Sequence, residues 1–81
     1  MLKVRIYTNY LEISGKPSEV PKLLQEIESG FDLNRRGVAY HMYNAINSNR
    51  EVLTLKFEGN KGVLYDVLNF ITYYTYDYDL R

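Results

Sequence analysis

Between Gly59 and Arg81 the apolar period of the chain changes, and the fold depends on how that change is read. Val63, Leu64, Val67 and Leu68 fall at i, i+1, i+4 and i+5, which places one apolar stripe along a helix. Asn60 stands where a side-chain oxygen would accept an orphan amide of the first turn. Asn69-Phe70 reads as a stop, because Asn tolerates the left-handed conformation and Phe can fold back on the last turn. Beyond it Tyr74, Tyr76, Tyr78 and Leu80 alternate with Tyr73, Thr75, Asp77 and Asp79, a period-two pattern in strand-favouring residues. The spacing therefore predicts a helix over 61–69 and a strand over 71–79. With no Gly or Pro between the halves, one long C-terminal helix is the alternative.

At 81 residues the chain makes a single small α+β domain, spanning 1–81, near the lower limit of what one apolar core stabilises unaided. It has no Cys, so disulfides and thiolate metal sites are excluded, and self-association is an expected source of further stability. Ten basic residues balance ten acidic ones, which argues against a surface dominated by one sign of charge. No apolar run approaches the roughly 20 residues of a membrane helix, and Met1 leads straight into a strand pattern rather than a signal peptide. A cytoplasmic protein with no membrane contact is expected. Nine Tyr and no Trp suggest partly wet aromatic surface.

At the start of the chain Leu2, Val4 and Ile6 alternate with Lys3, Arg5 and Tyr7 as one half-buried strand. Leu11 and Ile13 continue in the opposite phase, so a β-bulge, a bend or a strand end is expected near Thr8-Asn9. Gly15 to Ser18 break the strand, and Ser18 is the expected cap of a helix buried through Val20, Leu23, Leu24, Ile27 and Phe31 and ended by Gly30-Phe31. Pro21 fits its first turn. After a polar connector, Asp32 to Gly37, the segments Val38–Ile46 and Val52–Phe57 form a hairpin about Asn47–Arg50. Val38–Ile46 is apolar or aromatic on both faces, the pattern of a strand covered on both sides or lying at an interface. No internal repeat is evident. The order is βαββαβ, a ferredoxin-like sandwich with an antiparallel sheet and two helices on one face, or βαββ followed by the long helix.

Few side chains suggest catalysis. His41 is the one histidine and sits in a strand between Tyr40 and Met42, without convergent partners for acid–base or metal chemistry. Asp77 and Asp79 project from one strand face, a weak metal pattern and more often a solvated edge. Gly59 to Gly62 lacks the spacing of a phosphate-binding loop and reads as a tight turn. No cofactor, metal or enzyme activity is expected. The binding surface expected is the uncovered sheet face: Lys3, Arg5, Tyr7 and Lys56, clustered because the first and third strands of that fold are neighbours, flanked by Tyr40, Met42, Tyr74, Tyr76 and Tyr78. Arg35 and Arg36 form a secondary basic patch. Two readings follow. One is a protein-interaction module, a homodimer through the Tyr-rich face or an edge strand that binds another protein. The other is a single-stranded nucleic-acid binder that stacks bases on aromatics between basic side chains.

Overall fold

A computed structural model describes residues 2–74, in the order β1 (Lys3–Ile6), β2 (Tyr10–Gly15), α1 (Val20–Gly30), β3 (Ala39–Asn47), β4 (Arg50–Glu58) and α2 (Lys61–Tyr74). All strand pairs are antiparallel, and the sheet order is β1-β2-β4-β3. The architecture is α+β, as the patterning implies, but the element order is ββαββα rather than the ferredoxin-like βαββαβ.

Two local features account for the difference. The phase slip at Thr8-Asn9 is a chain reversal: Tyr7 N–H bonds the Tyr10 carbonyl at 2.9 Å, closing a two-residue turn, and Val4 faces Ile13 while Ile6 faces Leu11. A two-residue loop pairs odd positions with even ones, so the buried set must change parity across it. A bulge in one long strand leaves the same trace in the sequence. At the other end α2 does not stop at Asn69-Phe70 but continues to Tyr74. Ile71 extends the stripe of Leu64 and Val67 at i+7 and i+4, and all three are fully buried. A strand over 71–79 is thus ruled out for 71–74, and residues 75–79 lie outside the described residues.

Leu11, Ile13, Leu55 and Phe57 from the two central strands form the floor of the core, with Leu2 and Val4 of the first hairpin beside them. Val20, Leu23, Leu24 and Ile27 of α1 and Leu64, Val67 and Ile71 of α2 cover that floor from one side. Leu33 and Val38 close one end of the core; they are tied by the Val38 N–H to Leu33 carbonyl bond of 2.8 Å around Gly37, whose φ of 75° suits glycine. Ser18 is not the cap of α1. Glu19 takes that position without a side-chain cap bond, and the Lys16 carbonyl instead accepts from the amides of Glu19 and Val20. Asn60 does cap α2, its Oδ1 accepting from the Gly62 amide at 2.8 Å. Asn60→Ala should therefore lower stability by about 1 kcal/mol, and Asn60→Asp should keep most of it, in urea unfolding of each variant.

The register also discloses a repeat that residue identities hide. One constant shift along the chain carries Leu11, Ile13, Gly15, Val20, Leu23 and Ile27 onto Leu55, Phe57, Gly59, Leu64, Val67 and Ile71. Every apolar member of both sets is buried. The central ladder obeys the matching two-fold, since Leu11 faces Phe57 and Ile13 faces Leu55. Two ββα units thus share one sheet. They differ in one place. The first hairpin turns directly after the Ile6–Leu11 level, whereas the second runs on past its equivalent, Met42–Leu55, to a turn at Ser48-Asn49. Those two residues have φ of 54° and 63°, the type I′ geometry that suits a twisted two-residue hairpin.

Candidate interaction surface

Strand positions paired across a ladder share a face, so the register assigns every side chain of the sheet. The face away from the helices carries rows that run from β1 to β3. One is Lys3, Ser14, Thr54 and Tyr43; the next is Arg5, Glu12, Lys56 and His41. Lys3, Arg5, Tyr7 and Lys56 do lie on this open face, but not as a basic cluster. The first hairpin puts β2 between β1 and β4, and Glu12 stands between Arg5 and Lys56. Tyr7 stacks on Tyr10 with ring centroids 4.3 Å apart, and Lys56 Nζ lies over the Tyr10 ring at 4.4 Å. Ser14 and Thr54 hydroxyls pair at 3.1 Å, and the Tyr43 hydroxyl donates to Glu12 Oε2 at 3.1 Å. Desolvation in the sheet face, followed by that bond, holds the Tyr43 phenol above its usual pKa. This face is a polar mosaic in which Ser14, Thr54, Tyr43, Glu12, Tyr7, Tyr10 and Lys56 engage one another.

The remaining expected residues divide. Tyr40 and Met42 sit on the opposite, helix-side face of β3. Tyr40 donates to Glu28 Oε2 of α1 at 2.7 Å, and this bond, with a smaller share from desolvation, raises its pKa. Arg36 turns to the helix layer, where Nη2 donates to Asp66 of α2 at 2.6 Å and the guanidinium lies 5.2 Å from the Phe31 centroid. Arg35 is exposed in the α1–β3 connector. Neither extends the open face. Tyr74 is the last residue of α2, while Tyr76, Tyr78, Asp77 and Asp79 lie outside the described residues. His41 is exposed across from Lys56. Among the described residues no three His, Cys, Asp or Glu side chains converge as a metal site, and no helix is long and apolar enough to cross a membrane.

β3 itself is the surface that sequence reasoning underrated. Of the two expectations for it, cover on both faces is not met: the helices pack over β2 and β4 and touch β3 through the Tyr40–Glu28 bond, and residues 39–46 are all exposed. Tyr40, Met42 and Tyr43 are each about two-fifths exposed and Ile46 is 80% exposed, although it is a large apolar side chain in a regular strand. Among the described residues no strand pairs with the outer side of β3. The Asn47–Arg50 pair closes the type I′ turn and is hydrogen-bonded, so odd positions of β3 bond β4 and even positions face outward. The Gly59 amide bonding the Asn9 carbonyl at 3.2 Å fixes the same parity on β4 from its other side. Tyr40, Met42, Asn44 and Ile46 therefore present free amide and carbonyl groups along an open edge. The sequence signal for it was AYHMYNAIN, a strand with neither charge nor Pro.

The other sheet edge is built differently. β1 has four residues, two of them Lys3 and Arg5, against the nine of β3. Short length and charge blunt an edge; a long neutral one invites pairing. No family model matches the chain, and comparison with curated proteins and with solved structures gives no match either.

Proposed function

We propose that this chain is a small non-enzymatic protein-interaction module that self-associates through the β3 edge and acts by binding another protein. The observation that carries the reading is the uncharged β3 edge, extended beyond its counterpart in the first ββα unit and exposed on both faces. Among the described residues of that extension Leu53 alone packs against the core, and the first unit buries the same set of positions without such an extension. Backbone groups along such an edge give affinity by strand addition, and the alternating side chains give specificity.

Asn44→Pro tests this directly. Position 44 points its amide outward, so proline there removes an edge donor while leaving the β3–β4 ladder its bonds. Light scattering from low micromolar to several hundred micromolar protein should show association of the wild type. The variant should associate at least about tenfold more weakly, with its melting temperature shifted by only a few degrees. A wild type that stays monomeric throughout, or a proline variant that associates equally well, sinks the reading.

A second reading, binding of single-stranded nucleic acid, is supported by Lys3, Arg5 and Lys56 sharing the open face. It is weakened by Glu12 among them and by the Tyr10 ring being covered on its faces by Tyr7 and Lys56. Binding of an oligonucleotide that falls steeply with salt would favour it.

A further inference from the structure

We infer that two copies of the chain pair through β3 as antiparallel strands about a two-fold axis at Tyr43, forming one continuous eight-stranded sheet. This rests on the edge-strand reading above and adds the occupant and its register.

Backbone parity sets the register. Outward groups belong to even positions, so each even residue must face an even residue of the second copy. Among the alignments that satisfy this, one uses the whole open edge. Tyr40 then faces Ile46 of the second copy, Met42 faces Asn44, and Tyr43 meets its own symmetry mate. That register makes roughly eight backbone hydrogen bonds. Sliding by two positions in either direction leaves a pair of outward residues unmatched at the ends.

The side chains agree with that register. On the helix side, the 80%-exposed Ile46 comes to lie against the Tyr40 ring, an aromatic–β-branched pair of the kind that stabilises antiparallel ladders. On the open face Tyr43 meets Tyr43 across the axis, and His41 meets Ala45. β3 carries no charged side chain, so no like charges oppose each other across the seam. A two-fold contact must be self-complementary, and a neutral strand read in both directions satisfies that condition. An interface of one strand pair with its flanking side chains is small, and a dissociation constant on the order of micromolar is expected.

The chain has no cysteine, so single-cysteine variants report the register without background. Residues paired at a non-hydrogen-bonded position have Cα atoms about 4.5 Å apart, within the range a disulfide spans. Tyr43→Cys should form a disulfide dimer under mild oxidation at least about tenfold faster than Met42→Cys or Asn44→Cys, whose symmetry mates are displaced along the strand. Backbone hydrogen exchange of the wild type serves as a second measurement that needs no variant. The amides of Met42, Asn44 and Ile46 should gain protection as concentration rises, and the β1 amides of Val4 and Ile6 should not. A dimer that cross-links fastest through Met42→Cys or Asn44→Cys overturns the register and leaves the edge-strand reading standing. Concentration-dependent protection at β1 instead of β3 overturns the seam. A monomer at all concentrations overturns both, whether the edge is taken by another protein or by residues 75–81 of the same chain.

Discussion

Phe57→Ala should lose about 3–5 kcal/mol of stability and leave the domain largely unfolded at 37 °C. Phe57 is the largest fully buried side chain among the described residues, on a central strand, facing Leu11 of β2 on one side and Tyr40 of β3 on the other. Its ring centroid lies 6.0 Å from that of Tyr40, so truncation removes an aromatic contact together with the packed volume. Both helices rest on the floor it helps to form, and rigid strand backbones on either side prevent collapse into the void. A domain of this size without disulfides holds only several kcal/mol in reserve. Circular dichroism melts of wild type and variant measure the loss. A fall in melting temperature of under about 4 °C, equivalent to less than about 1 kcal/mol in a domain of this size, would mean that the core is not centred on the β2–β4 ladder.

Cutting the second hairpin back to the length of the first should separate folding from association. Residues 44–53 would be replaced by Asn-Gly, so that Tyr43 and Thr54, a hydrogen-bonded pair equivalent to Tyr7 and Tyr10, close a type I′ turn. The shortened chain loses Leu53, which is half-buried against the core, and the expected cost is at most about 2 kcal/mol. Cooperative melting should survive. Self-association should fall by at least about 100-fold, because the four outward positions are reduced to two, Tyr40 and Met42, and Ile46 is gone. Equal association by the shortened chain would move the contact away from β3, to the open face or to the helices. Failure to fold would show that the hairpin extension supports the core, contrary to the match between the two ββα units.

The sequence carried much of this fold in its local patterns. Val20, Leu23, Leu24 and Ile27 specify α1 and its buried face, since three- and four-residue spacings meet on one side of any helix. It ends at Gly30-Phe31, where the stop was expected, but by an extended Phe31 rather than a left-handed residue. Asn47 to Arg50 specify the second hairpin and Asn60 the start of α2, because turns and caps are satisfied by backbone and side-chain groups a few residues apart. The extent of α2 was legible too. Ile71 continues the helical period of Leu64 and Val67, but the alternating tyrosines after it supplied a competing pattern. The doubly apolar character of Val38–Ile46 implied cover on both sides or an interface; the structure buries Val38 in the core and leaves 39–46 exposed.

What the sequence by itself determined is which residues share a face and where several of the local turns and caps lie. Strand neighbours belong to the tertiary structure. A parity change at Thr8-Asn9 is written the same way by a bulge and by a reversal, and only the pairing of Val4 with Ile13 distinguishes them. That reversal sets β2 between β1 and β4, separates Arg5 from Lys56 by Glu12, and dissolves the basic cluster that a ferredoxin-like order would have formed. The same strand order leaves β3 outermost. A strand's unpaired side depends on which segments have already taken the other places in the sheet, and that is settled by burying Leu11, Ile13, Leu55 and Phe57 together under two helices rather than by any property of β3 itself.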